Sequence, residues 1–276
     1  MAPKISIVTI TYNSEKTLEE TILSVTGQGY DNLEYLIIDG GSTDKTLSIV
    51  EKYRDQIAVV VSETDKGISD AFNKGVRKAT GEIIGIINSD DILLPGALTK
   101  IAQAYNPKTD VYSGLMYFWN DKTDEKILYR PDLTFDKLKL QYSVTHQSRF
   151  IRKDAYERFG MFMEEMKYMM DIDLLCRFYH QGAVFQLVDA PLALFRMGGT
   201  TNNSIYKKKE DYRLFVKNFG GSQWDFRWIW LQAVVKYNLI QLGYKLFGSN
   251  LRFKLNKIFK TTDYKDYTDF DCKDLF

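Results

Sequence analysis

Cysteine is nearly absent. Cys176 and Cys272 stand far apart in a chain of 276 residues, with no paired spacing. That excludes a disulfide scaffold and a zinc motif, and it fits a reducing, cytoplasmic compartment. Proline is scarce too, at 5 residues, and no repeat or low-complexity linker interrupts the chain. Long apolar runs are also missing. The most apolar C-terminal stretch, Trp224 to Lys260, is broken by Arg227, Lys236, Lys245 and Arg252, which leaves no room for the ~20 apolar residues of a transmembrane helix. The opening MAPKISIVTITYN has no small-residue cleavage pattern, so its apolar run reads as a first strand rather than a leader. After that strand comes neither the Lys-Ser/Thr ending of a triphosphate loop nor the glycine triplet of a dinucleotide fold.

An excess of one charge is lacking overall: 37 Lys and Arg face 36 Asp and Glu, a net of +1. The balance is uneven along the chain. Ile205 to Lys260 carries 12 basic against 3 acidic residues, a net of +9, and Thr261 to Phe276 carries 5 Asp against 2 Lys. With 45% hydrophobic and 14% aromatic residues, the chain can bury a core without covalent staples.

Four apolar runs recur in the first ninety residues: Ile5 to Ile10, Tyr35 to Ile38, Ile57 to Val61 and Ile83 to Ile87. Between them lie segments of helical period, such as Leu18, Ile22 and Val25 after Asn13-Ser14-Glu15, or Leu47 and Val50 after Ser42-Thr43-Asp44. Strand, helix, strand, repeated, predicts an α/β fold with a mainly parallel sheet flanked by helices. Runs that are apolar at every position predict strands covered on both faces. The division expected is residues 1–220 as one folded unit, with a 1–106 half and a 107–220 half, followed by a helical extension and acidic tail at 221–276.

Open parallel sheets bind ligands at the carboxyl ends of their strands, and the loops there are rich in acids and amides. They read Thr11-Tyr12-Asn13-Ser14-Glu15, Asp39-Gly40-Gly41-Ser42-Thr43-Asp44, Glu63-Thr64-Asp65-Lys66-Gly67 and Asn88-Ser89-Asp90-Asp91. Two adjacent carboxylates at the end of a buried strand repel each other unless a cation or donor compensates. Hard oxygen ligands favour Mg²⁺ or Mn²⁺ there. A turn that caps the next helix explains the same residues equally well.

Taken together, TYNSEKT, IIDGGSTD, ETDKGISDAFNKG, ATGEIIGIINSDD, THQSRF and MMDIDLL make the chain resemble family 2 glycosyltransferases. These are nucleotide-sugar-dependent enzymes of the GT-A fold, and the likeness is to the branch that builds bacterial surface polysaccharides. The resemblance covers roughly residues 3 to 200. It implies that Thr11, Tyr12, Asn13, Glu15 and Asp39 hold the donor nucleoside, and that Asp65, Lys66, Gly67, Asp70 and Asn73 continue that wall. It puts Asn88-Ser89-Asp90 at the family's D-x-D position, with Asp90 binding the metal on the diphosphate and Asp91 assisting. Asn88 stands where the family has the first carboxylate.

The resemblance further implies that Asp171, in Met170-Asp171-Ile172-Asp173, is the general base of an inverting transfer, with Asp173 its support. Met170 replaces the usual Glu. Apolar neighbours Met169 and Met170 suit a carboxyl tuned for proton transfer. His146 and Gln147 line the acceptor side in the same likeness. Arg196 with Gly198-Gly199-Thr200 reads equally as a loop over the phosphates, since Arg matches phosphate geometry, or as a surface turn, whereas His180 reads as structural.

Trp224 to Lys260 interleaves Trp, Phe and Leu with Arg and Lys, the composition of a helix lying in a membrane interface. The expected partners are therefore a nucleotide-diphosphate sugar, a saccharide or lipid-linked saccharide acceptor, and the inner membrane surface. A homodimer contact or simple packing on the catalytic unit explains the same helices. Nucleic acid is not expected, because no binding module accompanies the basic surplus. Two rival functions remain open from the residues: a sugar nucleotidyltransferase, and a non-catalytic nucleotide-sugar-binding module.

Overall fold

The computed structural model describes residues 2–131, 133, 146–197 and 205–247. Its first half alternates strand and helix: β1 (Ile5–Thr11), α1 (Leu18–Thr26), β2 (Leu33–Asp39), α2 (Thr46–Lys52), β3 (Val59–Ser62), α3 (Ile68–Lys78) and β4 (Ile83–Asn88). The apolar runs split by period two, as pleated strands must. Val8, Leu36, Ile38, Ile84 and Ile86 enter one core with Phe72 and Val76 of α3. Ile5, Ile7, Tyr35, Ile37, Ile83 and Ile87 enter the other with Leu18 and Ile22 of α1. Gly75 lets α3 close on the sheet, because a Cβ there would clash with the Val8 side chain.

Strands β3, β2, β1 and β4 are parallel and adjacent in that order. Their register brings four loop-bearing ends to one edge. Thr11 pairs with Asp39, Asp39 with Ser62, and Ile10 with Asn88. Glu34 at the opposite end of β2 ties neighbouring segments together: it accepts from Ser6 Oγ at 2.5 Å, Lys4 Nζ at 2.9 Å and the Thr80 N–H at 2.7 Å.

Beyond β4 the sheet adds antiparallel strands to the parallel set that the spacing of the first ninety residues predicts. β5 (Ile92–Leu93), α4 (Ala97–Ala104), β6 (Val111–Asn120), β7 (Glu125–Tyr129), β8 (Arg149–Arg152), α5 (Lys153–Phe159), α6 (Met170–His180) and β9 (Phe185–Arg196) follow. β8 inserts antiparallel between β4 and β6, and β7 folds back on β6 as a hairpin. β9 runs parallel to β6 and meets β5 antiparallel, Ile92 against Leu194. Two helices complete the described chain, α7 (Lys209–Asn218) and α8 (Gln223–Phe247). α7 buries Phe215 and Val216, Phe215 joining the core shared by α3 and α6. Cys176 lies buried on α6, where loss of solvent pushes its thiol up to about 12, so it packs as a small apolar side chain. The exposed His180 ring meets those of Tyr179 and Phe219.

Candidate active site

The loops at the carboxyl edge are stitched to one another by their own polar side chains. Asn13, whose φ is +49°, accepts the Thr43 N–H at 2.9 Å and donates its own N–H to Ser42 Oγ at 2.8 Å. Glu15 accepts the Lys45 N–H at 3.1 Å, and its N–H reaches Asp44 at 3.1 Å. Asp39 is fully buried and accepts from the N–H groups of Gly41 and Ser42 and the hydroxyls of Ser42 and Ser62. Asn13, Glu15 and Asp39 thus hold the backbone of the strand-end loops in shape.

Tyr12 is different. The residue is 62% exposed, and Gly40 lets the Asp65 carboxylate approach beside its ring, since a Cβ on residue 40 would clash with Asp65 and touch Tyr12. An exposed aromatic face beside a carboxylate suits a planar base. Thr11 Oγ1 is buried with no hydrogen-bond partner at the same strand end, a polar atom of the kind that a ligand satisfies. Asp65 accepts the Gly67 N–H at 2.9 Å, and Asp70 accepts the Lys66 N–H at 3.0 Å, the contact that does most to hold Asp70 below its usual range. Asn73 departs from expectation. It is buried, and its amide exchanges two hydrogen bonds with the Phe162 backbone, at 2.9 and 3.0 Å, so it fastens α3 to the loop between α5 and α6.

The Asn88-Ser89-Asp90-Asp91 turn divides its two carboxylates. Ser89 Oγ lies 2.8 Å from Ser14 Oγ and joins the turn to the first loop. Asp91 is fully buried; it accepts from Gln147 Nε2 at 2.8 Å and from the Arg196 N–H at 3.0 Å. Burial and then the charge of Asp90 drive its carboxyl well above the ordinary range. Asp91 and Gln147 therefore form a buried pair beneath the turn, where sequence placed one on a metal and the other on the acceptor. Asp90 is only partly buried, and burial raises its carboxyl against the opposing pull of Arg196 and His146.

Arg196 is equally committed. It stacks over Trp119 at 4.5 Å, donates to the Asp90 carbonyl at 3.1 Å and pairs with Asp121 and Glu20, so it braces the turn. Gly198-Gly199-Thr200, expected beside it, lie outside the described residues.

His146 joins the turn to α6. Its Nε2 is 3.3 Å from Asn88 Oδ1, its Nδ1 is 3.4 Å from Asp171 Oδ2, and the Phe72 ring meets it edge-on at 5.3 Å. Asp171 stands in the first turn of α6, where the helix dipole favours an anion, and accepts the Ile172 N–H at 2.8 Å. Below the pair lies a small cavity lined by Arg149, Ile86, Tyr156 and Leu174 among others. Arg149 is buried, and loss of solvent lowers its guanidinium to about 10.

Other residues that shape this site escape the sequence motifs. Asp211 of α7, buried, accepts the N–H groups of Lys167, Tyr168 and Met169 at 3.0, 2.6 and 2.9 Å, all on Oδ2. Asp173, which the motif does name as the support of Asp171, is tied to Arg177 at 2.7 Å and to Asn218 of α7 at 3.1 Å. Lys208 is half-buried, and burial lowers its ammonium against the charges of Asp171 and Asp211. Nothing short of tertiary structure links residues forty apart, and Asp211 carries no local signal beyond being an acid in a basic stretch.

Among the described residues no three His, Cys, Asp or Glu side chains gather to enclose a metal. The donor set fits a hard divalent cation of the open kind, which takes one or two carboxylates and completes its shell with water and phosphate oxygens. Asp90 is the carboxylate available for it, in a setting whose burial cost a cation would offset.

The sequence model of the Glycosyl transferase family 2 matches residues 6–190. The chain belongs to that family. This family 2 glycosyltransferase is 28% identical over 231 residues to the putative glycosyltransferase EpsE of Bacillus subtilis, spanning 78% of this chain and 76% of that one. It is 26% identical over 221 residues to a PGL/p-HBAD biosynthesis glycosyltransferase of Mycobacterium tuberculosis, 75% and 82% of the two chains. In fold it is similar to S. aureus TarS in complex with UDP-GlcNAc, with a TM-score of 0.61 at 22% identity over 88% of this chain and 76% of TarS. It is also similar to the mannosyltransferase PcManGT of Pyrobaculum calidifontis in complex with GDP-Man and Mn²⁺, with a TM-score of 0.62 at 16% identity over 95% and 82%. The GT-A fold expected from the motifs is thus the fold observed.

Proposed function

We propose that this family 2 glycosyltransferase transfers a sugar from a nucleotide-diphosphate sugar to a saccharide acceptor carried on a lipid, with inversion, in the building of a cell-surface polysaccharide. The observation that carries the reading is the meeting of His146 with both Asp171 and Asn88, which joins a carboxylate suited to proton abstraction to the turn suited to the diphosphate. Tyr12, with Thr11 and Asp65, receives the nucleoside, and Asn13, Glu15 and Asp39 keep the surrounding backbone in shape. Lys66, Gly67 and Asp70 form the adjoining wall, and Ser89 holds the turn against the first loop.

Asp171 takes the proton of the acceptor hydroxyl as that oxygen bonds to the anomeric carbon. The bond from that carbon to the nucleoside diphosphate breaks on the opposite side, and the electron pair leaves with the diphosphate. Mg²⁺ or Mn²⁺ held by Asp90 would supply counter-charge to the departing group. His146 keeps Asp171 and the turn in register on the acceptor side. The enzyme works in the cytoplasm against the inner face of the membrane, which gives it access to a lipid-borne acceptor. The similar structures that contain UDP, UDP-GlcNAc and GDP-Man support a nucleotide donor.

Thermal unfolding with UDP, GDP, dTDP and CMP, each with and without Mn²⁺, tests the donor half of the proposal. Ligand at 100 times its Kd adds about 2.7 kcal/mol. A shift with one nucleotide that needs Mn²⁺ and vanishes in Asp90→Ala is the expected result; no shift with any of them counts against the nucleotide donor.

A further inference from the structure

α8 is apolar on two opposite sides. Phe226 and Trp230 are partly buried against α7, with Trp230 packed on Tyr212 at 5.4 Å and Arg213 over the Phe226 ring at 5.5 Å. That contact accounts for one side. Trp224, Trp228, Leu231, Val235, Leu239 and Leu242 recur every three or four residues on the other, and each is 50 to 75% exposed. At ~1.5 Å per residue the stripe runs about 27 Å along the helix. A helix that only packed on the catalytic unit in water would be polar on its outer side.

The charges beside the stripe are basic. Arg227 and Lys236 are exposed on α8, whose lone acid is Asp225. Lys207, Lys209, Arg213 and Lys217 are exposed on the segment that packs against the other side of α8, where Glu210 pairs with Arg213. Over Ile205 to Lys260 the sequence carries 12 basic and 3 acidic residues. A second copy of the same surface would set these like charges against each other, whereas an anionic lipid surface complements them and accepts the Trp pair at its headgroup level.

We infer that the outer stripe of α8, from Trp224 to Leu242, is an interfacial element that seats the enzyme on an anionic phospholipid surface. The inference deepens the proposed function, from which it takes the lipid-borne acceptor. It also has a geometric consequence, since α8 packs on α7, and α7 holds the loop before Asp171 through Asp211. Seating α8 on the bilayer brings the base within one helix of the surface that bears the acceptor.

Sedimentation of the full chain with vesicles of phosphatidylcholine alone, or mixed equally with phosphatidylglycerol, tests the inference. The expected result is at least tenfold stronger binding to the anionic vesicles, lost at high salt. A Leu231→Gln, Val235→Gln, Leu239→Gln variant, altered only at exposed positions, keeps its unfolding midpoint and binds at least tenfold more weakly. No binding by the wild type, or equal binding by the variant, overturns the inference. So does a wild-type dimer in sedimentation equilibrium that the triple variant makes monomeric without any vesicle binding. The readout is independent of turnover: an enzyme that releases nucleoside diphosphate yet ignores vesicles refutes only the interfacial element, and one that binds vesicles yet uses no donor refutes only the transfer reaction.

Discussion

Asp211 on α7 accepts the backbone N–H of Met169 at 2.9 Å, two residues before Asp171. The same oxygen takes the N–H groups of Lys167 and Tyr168, so one buried carboxylate fixes the loop that opens α6. Charge-assisted hydrogen bonds of this kind contribute about 1.5–3 kcal/mol each when measured singly, and they are not additive.

Asp211→Asn therefore loses both stability and alignment. Urea unfolding should show a loss of about 2 kcal/mol, and steady-state kinetics a fall in kcat of roughly tenfold or more with donor KM little changed. An unchanged kcat in a folded variant would reduce Asp211 to a packing residue.

The two carboxylates of the Asp90-Asp91 turn should part company under mutation. Asp91→Ala strands the Gln147 amide and the Arg196 N–H in the interior, at a cost of about 1–3 kcal/mol each in lost pairing, and its melting temperature falls. Asp90→Ala keeps its melting temperature and loses the Mn²⁺ dependence of nucleotide binding. Calorimetry on both variants distinguishes the roles; a reversed pattern would exchange them.

Glu34 gives the fold an acid limit. Burial pushes its carboxyl up, but donors from Ser6, Thr80 and Lys4 outweigh that and bring it down to about 2 from 4.5. A carboxyl lowered on folding stabilises the native state above its unfolded pKa, and that contribution is lost as pH falls from 4.5 toward 2. Glu34→Gln should be less stable than wild type by about 2–3 kcal/mol at neutral pH, with the gap closing across that window in acid unfolding curves. A gap independent of pH would mean that packing, not charge, is what the substitution removes.

The strand ends were readable from sequence because their signals are local: apolar runs such as Ile83 to Ile87 end where polar loops begin, and the register puts Thr11, Asp39, Ser62 and Asn88 on one edge. Which way a side chain turns was not readable. Asp90 and Asp91 look alike in sequence, yet one is fully buried because β5 pairs with β9 and brings the Arg196 backbone over it. Asn73 and Gln147 belong to motifs, but their amides are used by Phe162 and Asp91 in the interior. The antiparallel insertion of β8 depends on contacts between strands more than sixty residues apart, Ile84 with Ile151, and no periodicity encodes that.

The most direct test compares wild type with Asp171→Asn in the release of nucleoside diphosphate from nucleotide sugars in the presence of Mn²⁺ and a saccharide acceptor. General-base catalysis contributes about 10²–10⁴-fold. The account predicts that Asp171→Asn binds the nucleotide with wild-type affinity and transfers at least 100-fold more slowly, while wild type yields product of inverted anomeric configuration. Wild-type rates in Asp171→Asn, or retention at the anomeric carbon, would contradict it.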